Sequence, residues 1–374
     1  MIDFSLIKPW NSKDFPVKVN NIRFNQDYTL LTLATSRGYK IFSSESLRQV
    51  QEETELVRNL GNLNIVMTYF SSNIVYFTSK KNNPDISTKE LIIFDDFSQK
   101  KLSHFRSKDE NIIDFYVSKN ALFIALENKM LVLEILSMKI INIIENIEVN
   151  NKLISYNNYD TISYTLQKTK NKVIFEFYYF KRYKINNINR KYIKISFDKP
   201  QLIQISPSGN FIAIVSLLGN KIHIYNNGDN KLMECILIGT KVINIESLSF
   251  FNRKENYILL NLNNNKISIY KVNKDILKPE KCRCHNYSDD DIINGKIQIN
   301  NNFSFFDFFS DTTNQAIKDS HLTIDFSNSI IFSEFYFKLK KCFIVIDKDG
   351  YYYMFFFMKD SENALQSYKM IKWI

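Results

Sequence analysis

Short runs of alternating apolar and polar residues, each closed by a polar turn, repeat along nearly the whole chain. The unit is an alternating stretch, a turn, a short apolar run, a second turn, and a run ending in an aromatic or aliphatic pair. It reads first as "IRFNQDYTLLTLATSRGYKIF" (22–42) and again as "IIDFYVSKNALFIALENKMLVLEI" (112–135). It is clearest in "LIQISPSGNFIAIVSLLGNKIHIY" (202–225) and "IESLSFFNRKENYILLNLNNNKISIY" (245–270), and a half-unit, "CFIVIDKDGYYYMFFF" (342–357), lies near the end. Successive side chains of a strand point to opposite faces, so a period of two marks strands with one face buried. Glycine stands where a tight turn can need a positive φ, at Arg37-Gly38, Ser208-Gly209 and Asp349-Gly350. Asn158, Asn264 and Asn265 are the residues that next best tolerate it.

The two clearest units begin at Leu202 and Ile245, about 43 residues apart, which is the length of a four-stranded propeller blade. Filling the chain at that period predicts an all-β, seven-bladed β-propeller of the WD40 type with four-stranded antiparallel blades. The blades fall roughly at 17–58, 59–108, 109–148, 149–198, 199–240, 241–310 and 311–374. Residues 1–374 are then a single propeller domain. The best helical candidate is "SSESLRQVQEETELVRNL" (43–60), much of which reads as loop. The longest polar interruption, 272–302, is expected as a flexible loop in blade six, followed by "FSFFDFF" (303–309) as that blade's last strand.

Composition agrees with strands. Aromatics make up 14% of the 374 residues, whereas the chain has only 8 Gly and 6 Pro. The net charge of +10 favours an acidic partner (anionic membrane, nucleic acid or acidic protein) without choosing among them. The four cysteines, at 235, 282, 284 and 342, form no disulfide framework and point to a reducing compartment. Residues 1–16 lack a basic segment followed by an apolar core, so no signal peptide is expected. The most apolar long run is broken by Glu127, Lys129, Glu134 and Lys139, which argues against a membrane span.

Four segments in this order resemble the phosphoinositide-binding β-propellers called PROPPINs. "FNQDYTLLTLATSRGYKIF" looks like that family's first blade, and "NNPDISTKELIIFDD" like its Asn-Pro…Lys-(apolar)₃-Asp-Asp stretch in blade two. "FRSKDENIIDFYVSKNALFIALENKMLVLEI" is similar to the blade-three segment around Leu-Glu-Asn-Lys, and "FIVIDKDGYYYMFFF" to the final strand pair. The resemblance implies a non-catalytic scaffold of autophagy or endolysosomal membrane traffic, cytoplasmic and peripheral on autophagic, endosomal or vacuolar membranes. It implies autophagy proteins as partners at the blade-two and blade-three rim, with Pro84, Lys89, Asp95 and Asp96 as the matching residues. The alternative for Asp95-Asp96 is that the pair only closes a turn.

The same resemblance implies two headgroup pockets for phosphatidylinositol 3-phosphate, flanking a Phe-Arg-Arg-Gly motif whose arginines point to opposite sides of the backbone. Here that motif falls on "ECILIGT", so Leu237 and Ile238 stand where the arginines would be, followed by Gly239 and Thr240. The other matched positions are Ser216, Asn220 and His223 in blade five and Lys266 and Ser268 in blade six. A dianionic phosphate wants a planar, permanently charged, multi-donor partner, which neither Leu237 nor Ile238 supplies. Two readings follow: a scaffold with a degenerate lipid site, or an effector that binds the lipid through a remodelled pocket.

Little else points to chemistry. "CRCH" (282–285) has no second pair of ligands at zinc spacing, so no metal and no cofactor is expected. No Ser-His-Asp order, P-loop or paired carboxylates support catalysis. The basic charge leaves a general platform for an acidic partner open, but no aromatic-basic module for RNA is present and nucleic acid is not expected. A propeller closes its own ring, so a monomer is expected.

Overall fold

The computed structural model describes residues 17–147, 152–157, 161–165, 174–180, 188–194, 200–272, 322–326, 330–336, 342–357 and 365–372, apart from short gaps within those ranges. Among the described residues, twenty-eight strands form seven antiparallel sheets in chain order, with one short helix. The first sheet is β1–β3 (Val19–Phe24, Leu30–Thr35, Gly38–Ser43), followed by helix α1 (Glu55–Asn59). The second is β4–β7 (Leu63–Thr68, Ile74–Ser79, Glu90–Asp95, Lys100–Arg106) and the third β8–β11 (Ile112–Val117, Ala121–Leu126, Lys129–Glu134, Ile140–Glu145). The fourth is β12–β16 (Ile154–Tyr156, Thr161–Thr165, Ile174–Phe180, Ile188–Asn189, Tyr192–Lys194) and the fifth β17–β20 (Pro200–Ile205, Phe211–Ser216, Lys221–Asn226, Leu232–Leu237). The sixth is β21–β24 (Ile245–Phe250, Tyr257–Leu262, Lys266–Lys271, Leu322–Asp325) and the seventh β25–β28 (Ile330–Tyr336, Cys342–Asp347, Tyr351–Phe357, Leu365–Lys372).

The all-β propeller expectation is met, but not the uniform plan of seven four-stranded blades. Five sheets are four-stranded; the first has three strands and the fourth five, with β15 and β16 both paired to β14. In the first sheet, the stretch that would supply a fourth strand makes a single bridge, Phe42 to Gln49, and then turns into α1. Thr54 caps that helix by accepting from the Val57 N–H, and Val57 alone is buried, so only one turn of the 43–60 candidate is helical. In the sixth sheet the fourth strand is Leu322–Asp325, later than the expected 303–309, so the last boundary lies after Asp325. Residues 303–309, and the expected loop 272–302 from position 273 onward, lie outside the described residues.

Seven apolar clusters hold the sheets face to face. Each joins one sheet to the next, and one joins the last to the first: Ile22, Leu31 and Leu33 pack with Cys342, Ile344 and Ile346. A middle strand is therefore covered on both faces, and β9, β22 and β26 are buried at every position. Of the expected turn residues Gly38, Gly209 and Asn265 have positive φ, as does Gly219, whereas Gly350, Asn158 and Asn264 lie outside the described residues. The register slips at the second or third residue of the first strand in six sheets, as between Val19 and Asn21 or Ile245 and Ser247. Such a bulge adds local twist and re-aims the strand.

Candidate functional site

The matched lipid positions gather at one end of the fifth and sixth sheets. Ser216 ends β18, and the turn through Gly219 brings Asn220 and Lys221 beside it. The Ser216 hydroxyl donates to Asn220 Oδ1 (3.0 Å) and accepts from the Lys221 N–H (3.2 Å), so its polar capacity goes into its own turn. His223 is buried two residues on, with Nδ1 3.3 Å from the Tyr225 hydroxyl and the two rings edge to face. Strand β20 lies antiparallel, pairing Leu237 with Lys221 and Cys235 with His223. Ile238 continues it, donating its N–H to the Asn220 carbonyl (2.8 Å).

Leu237 and Ile238 face opposite ways. Cys235, which shares a face with Leu237, belongs to the cluster between the fourth and fifth sheets. Ile236 belongs to the cluster between the fifth and sixth, and Ile238 packs against that cluster together with Ile243. The apolar seam between two repeats is thereby accounted for: Ile238, partly buried, packs against the core between the fifth and sixth sheets. On the sixth sheet Lys266 opens β23, half-buried, in register with Leu262 and Asp325. Ser268 is buried in the same strand. Gly239 and Thr240 lie outside the described residues.

The linker from the fifth to the sixth sheet closes over this turn. The Ile243 N–H donates to the Leu218 carbonyl (2.8 Å), and a Cβ placed on Gly219 would lie 1.7 Å from the Ile243 carbonyl oxygen. Gln201 fastens the linker by accepting from the Ile245 N–H (3.0 Å). Sequence reasoning missed Gln201, a lone polar residue at the head of a strand, where an amide can reach both neighbouring backbones.

At the second sheet, Pro84 is exposed in a loop organised by Asn83, whose Oδ1 accepts from the Asp85 and Ile86 N–H groups (3.0 and 3.1 Å). Lys89 is half-buried at the entry to β6. Asp95 caps the next turn, accepting from the Phe97 N–H (3.1 Å) and the Ser98 hydroxyl (2.6 Å), and the Ser98 bond holds its carboxyl low. Asp96 accepts from the Tyr39 hydroxyl of the first sheet (2.6 Å), while burial pushes its carboxyl up. Both carboxylates thus have structural work. Beside them β7, Lys100–Arg106, is an exposed edge strand carrying Lys100, Lys101, His104 and Arg106. Its basic face was not singled out from sequence, although "KKLSHFR" displays it.

Among the described residues no group of three His, Cys, Asp or Glu could hold a metal ion, and no helix is long and apolar enough to cross a membrane.

No protein-family model matches the chain. Among curated proteins, it is 25% identical over 132 residues to autophagy-related protein 18 of Kluyveromyces marxianus; the match covers 35% of this chain and 24% of that protein. The matched stretch thus spans about a quarter of the relative's length. Among solved structures, the chain superposes on Kluyveromyces lactis Hsv2 with complete loop 6CD at a TM-score of 0.68 and 12% identity, over 95% of this chain and 98% of that one. It superposes on a complex of KlAtg21 with the coiled-coil of AgAtg16 at a TM-score of 0.66 and 14% identity, over 95% and 100%. At such identities the structural likeness establishes the propeller fold alone.

Proposed function

We propose, from its membership of the PROPPIN family, that this chain is a non-catalytic propeller scaffold of autophagy or endolysosomal membrane traffic whose phosphatidylinositol 3-phosphate site is degenerate. The three- and five-stranded sheets act in this reading as two further blades, completing a seven-bladed ring in a single domain of residues 1–374. The protein is cytoplasmic and monomeric, and reaches autophagic, endosomal or vacuolar membranes as a peripheral component, largely through its partners.

The observation that carries the proposal is the packing of a partly buried Ile238 against the core between the fifth and sixth sheets, with Leu237 on the opposite face. Those are the two positions where the family resemblance calls for arginine. Each charge-assisted bond lost to phosphate removes about 1.5–3 kcal/mol, so each headgroup site weakens by more than about tenfold. Ser216 and Asn220 bond to each other, which leaves only diffuse positive charge to attract anionic lipid. Protein partners would dock on the rim of the second and third sheets, around Pro84, Lys89, Asp95, Asp96 and the basic edge of β7. The KlAtg21 complex supports a coiled-coil as the kind of partner. Asp95 and Asp96 shape that rim through Ser98 and Tyr39.

A second reading rests on the same end of the fifth sheet. Ser216, Asn220 and His223, with Thr240 and the lysines at 221 and 266, would form a remodelled lipid pocket. Co-flotation with liposomes carrying phosphatidylinositol 3-phosphate, against liposomes of equal charge without it, separates the two. The expected result is flotation that follows charge alone. The double variant Leu237→Arg/Ile238→Arg should gain at least about tenfold in headgroup-dependent binding, provided its melting shows the ring intact. Headgroup-dependent flotation of the wild type would replace the first reading with the second.

A further inference from the structure

Strand β7, Lys100–Arg106, is the outer edge of the second sheet and among the described residues pairs on one side only, to β6. Six of its seven residues are exposed, and Phe105 alone packs on the cluster between the second and third sheets. The register slips between Ile93 and Phe94, which leaves Leu102 as the extra residue, 54% exposed. Lysines and a bulge on an edge strand guard it against pairing with another chain. They do not account for Ser103, which stands mid-strand with Lys100 and Lys101 three and two positions before it and Arg106 three positions after.

Among the described residues six serines are exposed: Ser46, Ser71, Ser72, Ser98, Ser103 and Ser137. Five of them spend the hydroxyl on a partner. Ser72 donates to the Tyr69 carbonyl (2.5 Å), Ser98 to Asp95 (2.6 Å) and Ser137 to Glu134. Ser46 accepts from the Arg48 N–H (3.4 Å), and Ser71 shares a hydrogen bond with Thr29 (2.7 Å). Ser103 has no such partner among the described residues, and it alone of the six has two basic residues within the three positions before it. Neither lysine forms an ion pair among the described residues, and Arg106, its side chain 66% exposed, only approaches Glu90 at 3.6 Å.

We propose that Ser103 is a phosphorylation site for a serine kinase that selects basic residues before its acceptor, and that phosphate there silences the basic edge of β7. A kinase holds the acceptor hydroxyl in line with the γ-phosphate of ATP and reads the flanking side chains by complementary charge. The acceptor is already extended here. Because Phe105 is the one side chain of β7 packed on an apolar cluster, the strand can leave the sheet edge for a kinase cleft while β4–β6 stay in place. In the transfer, Ser103 Oγ bonds to the γ-phosphorus as the bond from that phosphorus to the bridging oxygen of ADP breaks. The hydroxyl proton passes to the kinase's catalytic carboxylate, and ADP leaves. The product carries a charge of about −1.5 to −2. Lys100, Lys101 and Arg106 all lie within three positions, about 10 Å along a strand, which is close to one Debye length. The phosphate therefore offsets about half or more of their positive charge. The acceptor site stands on β7 alone, whereas the switch rests on the reading of this rim as a partner surface. By charge complementarity the partner it repels is an acidic protein segment.

The test treats the full chain, and a peptide of residues 100–106, with magnesium-ATP and the catalytic subunit of cyclic-AMP-dependent protein kinase, which prefers basic residues. Casein kinase 2, which prefers acidic ones, is the control. Trypsin releases residues 102–106, and mass spectrometry should find one phosphate on that fragment after the first kinase and none after the second. Lys100→Ala/Lys101→Ala should lower kcat/KM at this site by at least about tenfold, and Ser103→Ala should abolish the modification. These are exposed positions, so the variants should keep the fold. Fluorescence anisotropy of a labelled polyglutamate peptide then reads the edge. The phosphorylated chain should bind it at least about tenfold more weakly than the unmodified chain, and kinase-treated Ser103→Ala should bind like the unmodified chain. The acceptor site falls if the folded chain is not modified, whether or not the short peptide is, or if the lysine variant is modified as fast as the wild type. The switch falls if modified and unmodified chains bind polyglutamate alike. If Ser103 is modified but the unmodified chain does not bind polyglutamate, the acidic-partner reading of the rim fails, and the switch with it, while the acceptor site stands.

Discussion

Gly219 is fixed by two constraints that add. Its φ of +70° lies in the left-handed region, and the Ile243 carbonyl oxygen occupies the space of a Cβ at 1.7 Å. Gly38, in the corresponding turn of the first sheet, repeats both features, with φ +76° and the Val57 carbonyl oxygen at 2.0 Å. At each place the connection to the following sheet runs directly over the turn. Gly219→Ala therefore forces either the turn or the linker to move, and the linker carries Ile243, which packs on the inter-sheet cluster. The expected loss is at least about 3 kcal/mol, since strain and a displaced backbone are among the few routes to so large a change. Urea unfolding of Gly219→Ala would measure it. Gly228→Ala is the control: its φ is not positive, and the nearest heavy atom is the side-chain oxygen of Asn226 at 3.0 Å, so a loss below about 1 kcal/mol is expected. Equal losses at the two positions would show that the close approach does not matter. Gly38 was legible as a turn residue in the dipeptide Arg37-Gly38, whereas Gly219 was not singled out; the approach of a distant carbonyl was legible at neither, because it depends on where the next sheet begins.

Single elements are tied across the ring by polar side chains that skip a neighbour. Gln26, just past β1, donates to the carbonyls of Thr68 (3.0 Å) and Val117 (2.6 Å) and accepts from the Phe70 N–H (2.6 Å), so one amide joins the first three sheets. Lys152, ahead of β12, reaches Glu246 (3.0 Å) and the Ile245 carbonyl (3.1 Å) on the sixth sheet. Gln26 is 1% exposed, and truncation would strand three backbone groups in the interior. Gln26→Ala should cost about 3 kcal/mol or more by chemical denaturation, and Gln26→Glu a comparable amount, because a carboxylate can accept from Phe70 but cannot donate to the two carbonyls. A loss under about 1 kcal/mol for Gln26→Ala would mean that the three sheets are held by packing alone.

At this scale the strands were legible and their environment only partly so. Burial varies along β1 and β8, where a bulge interrupts any strict alternation, and is complete in β9, β22 and β26, which are covered on both faces. The recurring bulges left no mark in residue type. The opposed directions of Leu237 and Ile238 were readable from strand geometry, but the contact of Ile238 with the inter-sheet cluster needed the position of the sixth sheet. The ion pair of Arg23 with Asp114 was hidden for the same reason: the two are isolated charges in apolar strands, far apart in the chain and adjacent only once the ring is drawn.

The whole molecule depends on the contact between its first and last sheets. Ile344 is fully buried on β26 and packs with Ile22, Leu31 and Leu33 of the first sheet. In an open array of repeats the terminal units have one neighbour each and fray first, because stability is a sum of nearest-neighbour terms. In a closed ring no unit is terminal, and opening any one interface exposes apolar faces on both sides of the break. Ile344→Ala at the closure and Leu260→Ala between the fifth and sixth sheets should then cost alike, each about 2–5 kcal/mol through lost apolar contact and the cavity left behind. Unfolding followed by near-ultraviolet and by far-ultraviolet circular dichroism should remain one coincident transition in both variants. If the closure were a loose seam, Ile344→Ala would cost much less than Leu260→Ala, or would split unfolding into two steps with the outer sheets released first.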